Sequence, residues 1–168
     1  MIATANKKVT NTVIPAAAPA PAAEPAPAPA AKTQVNTVAE LDALLARVRE
    51  AQVRYATFTP EQVDAVFRAA ALAANAARVP LAKLAAAETR MGIVEDKVIK
   101  NHFAAEFIYN KYREARTCGV LEHDASAGIR KIAEPLGVIA GVVPTTNPTS
   151  TAIFKSLLAL KTRNAIVF

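Results

Sequence analysis

A chain of 168 residues that is 52% hydrophobic is long enough to bury one ordinary core and too apolar to be disordered throughout. Alanine inflates that figure and aromatics are only 5%, so the composition favours helices packed through small side chains and excludes a broad aromatic recognition surface. The formal charge of +6 is scattered in twos and threes among Asp and Glu, so it reads as a solvated surface, and no nucleic-acid partner is expected.

The start carries Lys7 and Lys8 but no apolar segment after them, which is not the pattern of a secretory signal. No stretch is long and apolar enough to span a bilayer, so no membrane partner is expected. The single cysteine, Cys118, excludes an intrachain disulfide framework and fits a reducing cytoplasm, the expected location. Residues 1–14, rich in Thr, Asn and Val, read as a solvated tail in preference to a docking peptide. Residues 15–34 form a Pro/Ala-rich linker that holds six of the eleven prolines. Such a segment lacks backbone donors and apolar surface, and is expected to be extended and partly polyproline II.

The domain proper is residues 35–168. Thr37-Val-Ala-Glu40 is a capping box, followed by Leu41, Leu44, Leu45, Val48 and Tyr55 at helical spacing, which predicts a helix to about Tyr55. Thr59-Pro60-Glu-Gln62 repeats the signal and leads through Val63, Phe67, Ala70 and Ala74 to about Arg78. Pro80 opens a third helix, which Gly92 separates from a longer one carrying Val98, Phe103, Phe107 and Tyr112. Together these predict a helical layer whose apolar face needs a cover.

After Gly119 the helical period gives way to β-branched residues and glycine. Ile129–Ala133 predicts a strand with a neighbour to pair with, Glu134–Gly137 a turn, and Val138–Val143 a buried parallel strand. Thr149–Leu160 reads as helix, Asn164 as the left-handed residue that closes it, and Ala165–Phe168 as a second buried strand. The fold class is therefore α/β: a helical layer followed by one right-handed βαβ crossover of a Rossmann-type sheet. A two-strand unit with bare faces is expected to be an incomplete domain, prone to aggregation when isolated.

GVVPTTNPTS sets a polar turn of Thr145, Thr146 and Asn147 between a strand end and a helix start. That is a ligand position in open α/β sheets, and equally an ordinary strand-to-helix cap. There is no G-x-G-x-x-G here, and Pro144 and Pro148 remove two amide donors, so any dinucleotide must meet the loop by another geometry. His102 and His123 lie twenty-one residues apart without companions at ligand spacing, and read as a packed residue and a solvated turn, with no metal site. Cys118 reads as a small buried residue.

The run Glu134-Pro-Leu-Gly-Val-Ile-Ala-Gly-Val-Val-Pro-Thr-Thr-Asn147 resembles the Glu-Pro-x-Gly…Pro-x-x-Asn region of the aldehyde dehydrogenase superfamily. Ala159–Phe168 resembles the helix end and next strand there, with Arg163 where hydrolytic members usually have glycine. PTTNPTSTAIFKSLLALKTRNAIVF and MGIVEDKVIKNHFAAEFIYN resemble the acylating branch, in particular the N-terminal part of bifunctional aldehyde-alcohol dehydrogenases, and the likeness spans Val35–Phe168.

The resemblance implies NAD-dependent interconversion of acetaldehyde and acetyl-CoA through a cysteine thiolate, with coenzyme A as co-substrate. It implies that Asn147 stabilises the oxyanion and that Val142, Val143, Pro144, Thr145, Thr146 and Asn147 line the cofactor site. It places the nucleophile on a later loop facing Asn147, and not at Cys118. Iron would belong to a downstream alcohol dehydrogenase half, and the intact enzyme would be a homo-oligomer that forms filaments. Lys155 matches a lysine often found in the superfamily, but reads as a solvated charge on a buried stem. The expectation is a fragment without activity of its own. The alternative is a non-catalytic interaction module that assembles with full-length dehydrogenase subunits through its helical layer.

Overall fold

The computed structural model describes residues 35–168, and the expectations for the tail and for residues 15–34 lie outside the described residues. The first helix, α1 (Val38–Ala56), starts on the anticipated capping box. Thr37 Oγ1 accepts from the Glu40 amide at 3.2 Å, and the Glu40 carboxylate accepts from the amides of Asn36 and Thr37 at 2.8 and 3.0 Å. Those amides, Asn36 first, hold the Glu40 carboxyl below its ordinary pKa. Thr59 and Gln62 form the same box ahead of α2 (Pro60–Ala76).

Helix α3 (Arg78–Thr89) begins two residues before Pro80, because a proline is tolerated anywhere in a first turn, where no intrahelical donor is needed. Arg90 closes it in the left-handed region, at φ 54°. The long helix expected next is interrupted. It runs as α4 (Val94–His102), a π-helical turn at Phe103–Phe107, and α5 (Ile108–Tyr112). The wider turn sends Ala104, Ala105 and Ile108 into the core and leaves Phe103 and Phe107 stacked outside at 5.1 Å, with Phe103 56% exposed.

The central element is α6 (Pro148–Lys161). Its Ile153 and Leu157 complete a core with Phe67, Ala71, Ala104, Ala105 and Ile108. Alanines at three of these seven positions let α2, the π turn and α6 approach closely, as the composition suggested.

Two small sheets accompany the helices. Strands β1 (Gly119–Asp124) and β2 (Ile129–Ala133) form an antiparallel hairpin, so the neighbour of Ile129–Ala133 is the segment just before it. His123 therefore lies in a strand and not in a turn, and it is exposed. The turn itself is organised by Asp124, whose Oδ1 accepts from the Ser126 hydroxyl at 2.6 Å and from the amides of Ser126 and Ala127.

Strands β3 (Val138–Ala140) and β4 (Ala165–Val167) are parallel, with Val138 opposite Ala165, and α6 connects them. The strand expected over Val138–Val143 is shorter and only half-buried, and Val142 is 77% exposed. Its ladder stops with the Gly141 amide on the Val167 carbonyl at 2.7 Å, where β4 itself ends, and Pro144 has no amide to extend it. Gly141 lies close under the Phe168 ring: a Cβ there would stand 2.6 Å from it, and the half-exposed ring would have to shift.

The left-handed residue before β4 is Arg163, at φ 57°, and not Asn164. A non-glycine residue there costs about 1–2 kcal/mol, which the hydrogen bonds of Arg163 offset. Its guanidinium donates to the carbonyls of Ala56 and Ala133 at 2.6 and 3.2 Å, and its own carbonyl accepts from Gln52. Asn164 fills a different role, accepting from the Gly137 amide at 2.9 Å and donating to Thr162 Oγ1 at 2.7 Å.

Candidate functional site

The polar loop between β3 and α6 is held from both sides. The Lys155 ammonium, one and a half to two turns into α6, donates to the Val142 carbonyl at 2.7 Å, so this lysine is tied to the loop and is not merely solvated. The Asn147 amide closes a turn onto the Pro144 carbonyl at 3.3 Å. Pro148 then starts α6 with φ preset for a helix.

Asn147 occupies the N-cap position, yet its side chain makes no cap hydrogen bond. Of the two readings of this turn, the ordinary cap therefore fails at the residue best suited to it. The carboxamide oxygen accepts from the Lys100 ammonium at 2.9 Å, whereas Nδ2 has only a 3.4 Å approach to Thr146 Oγ1. The nitrogen end thus keeps donor capacity to spare.

Helix α4 supplies the other contacts. Lys97, only 5% exposed, donates to the Thr146 carbonyl at 3.1 Å. Asn101, fully buried, accepts from the Thr149 hydroxyl at 2.8 Å and donates to the Arg78 carbonyl at 3.0 Å. Sequence reasoning did not single out Lys97, Lys100 or Asn101. The available signal was polar side chains at positions 97, 100 and 101, on one face of a helix, with Asn a poor helix former.

Asn147 borders two spaces. One, of about 550 Å³, lies between the α4–π segment and α6, with Ile99, Phe103, Thr151 and Phe154 among its walls. The other, of about 210 Å³, is bounded by Gly92, Ile93, Lys97 and Thr146. Residues 142–147 thus lie together at the carboxyl end of β3, but only Thr146 and Asn147 line these spaces. Val142 meets Lys155 through its carbonyl.

Cys118 lies elsewhere. It is 7% exposed and borders a separate space of about 100 Å³ with Asp64, Thr117 and Lys161, sharing no wall residue with those at Asn147. Lys161 is buried beside it and bonds to the Asp64 carboxylate and the Arg113 carbonyl, above the Phe67 ring. Nearby, burial first, and then the negative charge Cys118 can carry, push the Tyr55 phenol up to about 12 against the opposing pull of Arg163. Tyr55 accordingly stays a donor, to the Leu160 carbonyl at 2.8 Å.

His102 Nδ1 stands 3.2 Å from Asn75 Oδ1 and 3.5 Å from Glu106, with its ring edge-on to Phe107. Among the described residues no group of three His, Cys, Asp or Glu side chains is placed to hold a metal ion. No described helix is long and apolar enough to cross a membrane.

The arrangement of helices, hairpin and parallel pair recurs in solved structures. A probable aldehyde dehydrogenase from Listeria monocytogenes EGD-e matches at a TM-score of 0.76 and 43% identity, over 78% of this chain and 29% of that one. An acetylating aldehyde dehydrogenase from Geobacillus thermoglucosidasius matches at 0.76 and 42%, over 77% of this chain and 29% of that one. No family model matches the chain. The fold and these likenesses match the chain to the acylating branch of the aldehyde dehydrogenase superfamily.

Within that branch the chain is homologous to the N-terminal, acylating part of bifunctional aldehyde-alcohol dehydrogenases. It is 69% identical over 134 residues to the bifunctional aldehyde-alcohol dehydrogenase AdhE of Escherichia coli K12, covering 80% of this chain and 15% of that protein. It is 58% identical over 135 residues to the aldehyde-alcohol dehydrogenase of Clostridium acetobutylicum, covering 80% and 16%. The chain thus spans about 15% of the length of these curated relatives.

Proposed function

We propose that residues 35–168 supply the oxyanion-stabilising and cofactor-facing part of an NAD-dependent, CoA-acylating acetaldehyde dehydrogenase of fermentative alcohol metabolism. The reaction is acetaldehyde + CoA + NAD⁺ ⇌ acetyl-CoA + NADH + H⁺. The observation that carries this reading is the Asn147 carboxamide: its oxygen is engaged by Lys100, its nitrogen has donor capacity to spare, and the residue borders a space of about 550 Å³. A preorganised donor facing a developing alkoxide is what acyl chemistry requires.

The β3–α6–β4 unit is read here as the first crossover of a Rossmann-type sheet, with Val142, Val143, Pro144, Thr145, Thr146 and Asn147 at its carboxyl edge meeting NAD. The fit is to the nicotinamide half. Pro144 in the loop and Pro148 at the start of α6 offer little to a pyrophosphate, because neither has the backbone N–H that an anion would accept from. The exposed Val142 side chain offers an apolar surface to a ring. NAD, when bound, supplies the hydride acceptor; Asn147 donates to the substrate oxygen, and Lys155 keeps the Val142 backbone in place.

This reading assigns the nucleophile to another residue than Cys118, which is buried and shares no lining with the space beside Asn147. On this reading residues 1–168 alone form no NADH from acetaldehyde and CoA. Joined to the remainder of an acylating dehydrogenase, they support turnover that falls about 10²–10³-fold in Asn147→Ala. Turnover by residues 1–168 alone, or unchanged kcat in the Asn147→Ala enzyme, defeats the proposal.

A further inference from the structure

Lys100 and Asn101 stand three and four residues after Lys97 along α4, and each of the three holds a different point of the loop or of the first turn of α6. Lys97 takes the Thr146 carbonyl, Lys100 the Asn147 side-chain oxygen and Asn101 the Thr149 hydroxyl. Two of the three are nine-tenths buried or more, and Asn101 is tied to the Arg78 carbonyl, so the grip starts from the packed interior.

An asparagine carboxamide has two orientations, related by a half-turn about its last torsion, which is broad and roughly two-fold. One turns oxygen towards α4 and the N–H pair away; the other does the reverse. A lysine ammonium carries three donors and no acceptor. Lys100, at 2.9 Å, is compatible only with the first. A cation on the amide oxygen also polarises the N–H bonds and strengthens what they donate.

We propose that Lys100 is a positioning residue: its ammonium fixes the flip of the Asn147 carboxamide so that Nδ2–H faces the reacting oxygen. This rests on the oxyanion role proposed for Asn147. Lys100 acts through that side chain and does not itself contact substrate.

The test is a double-mutant cycle in an active chain that joins residues 1–168 to the remainder of an acylating aldehyde dehydrogenase. Lys100→Met lowers kcat about 10-fold, between the roughly two-fold loss of a freely flipping amide and the 10²–10³-fold loss of removing it. KM for acetaldehyde and for CoA stays within about two-fold, as expected when only transition-state stabilisation is lost. Lys100→Arg, which keeps donors and charge, recovers most of the rate, and in the Asn147→Ala background Lys100→Met changes nothing further.

Equal losses from Lys100→Met in both backgrounds overturn the positioning role and leave the oxyanion role standing. So does a rise in KM for CoA at constant kcat, which marks direct substrate binding. If Asn147→Ala is itself silent, the oxyanion reading falls and this proposal with it. Melting temperatures check folding, and the exposed position of Lys100 makes its replacement mild; an Arg variant as slow as the Met variant at unchanged stability also counts against the role.

Discussion

Two polar centres of this chain use the same kinds of side chain to opposite ends. Around Cys118 the groups are closed on one another: Lys161 bonds to the Asp64 carboxylate and the Arg113 carbonyl, and Thr117 Oγ1 donates to the Lys161 carbonyl at 2.5 Å. Around Asn147 two lysines, Lys97 and Lys100, also hold carbonyl oxygens, yet the Asn147 nitrogen keeps a donor uncommitted in a residue that borders an open space. The first arrangement fixes a fold; the second fixes a fold and leaves something over. On the proposed function, what separates scaffold from site is residual hydrogen-bonding capacity, and not the presence of charge.

The comparison breaks most sharply if the core shared by both centres is removed. Phe67 is fully buried beneath Lys161 and packs on Tyr109 at 5.3 Å. Phe67→Ala is expected to cost about 3–5 kcal/mol, read as a fall in the denaturation midpoint, and to disturb α6 and hence both centres. A loss under 1 kcal/mol would show that α2 and α6 repack around the gap. Next in size, Asp64→Ala leaves Lys161 buried with only the Arg113 carbonyl. Breaking such a pair costs about 3–5 kcal/mol when both partners are buried, and half-exposed Asp64 reduces this to about 1–3 kcal/mol. Turnover per folded molecule should be unaffected, the opposite of Asn147→Ala.

The two centres also differed in how far they could be read from sequence. The loop at Asn147 was legible, because Pro-Thr-Thr-Asn-Pro between an apolar strand and a helix carries its turn chemistry locally. The caps at Thr37 and Thr59 were legible for the same reason. The clasp from α4 was not, since it joins residues nearly fifty positions apart, and no local pattern tells a buried lysine from a solvated one. The π turn was hidden because one extra residue in a helix alters no composition, only the face on which Phe103 and Phe107 emerge. Arg163 in place of Asn164 follows similarly: propensity favours Asn in a left-handed turn, and the carbonyls of Ala56 and Ala133, supplied by distant segments, outweigh it.

Chemical access gives a smaller contrast. Cys118, buried, should react slowly with iodoacetamide in the native chain and rapidly in denaturant. In an active chain Cys118→Ala should retain kcat within about two-fold, at a stability cost near 1 kcal/mol for a small buried side chain. Loss of activity on replacing it would move the nucleophile to the closed centre and dissolve the distinction.

The smallest effect concerns Tyr55, which borders the closed centre and whose phenol is pushed up to about 12 by burial and by the charge Cys118 can carry. An acid whose folded pKa exceeds its unfolded value of about 10 binds its proton more tightly when folded. Its contribution is fully present below about pH 10 and is lost as pH climbs through about 12, where the unfolded chain has released the proton and the folded chain still holds it. Tyr55→Phe should flatten that part of the alkaline stability profile. Near pH 7 it should cost only about 0.5 kcal/mol, the low end for a lost hydrogen bond, because the Leu160 carbonyl keeps the Arg163 amide at 3.2 Å. Replacing Cys118 by Ala in the Tyr55 chain removes one of the two raising influences and should move the alkaline loss to lower pH. An alkaline profile identical in all three chains would mean that the Tyr55 phenol adds nothing to alkaline stability and does not sense the Cys118 thiol.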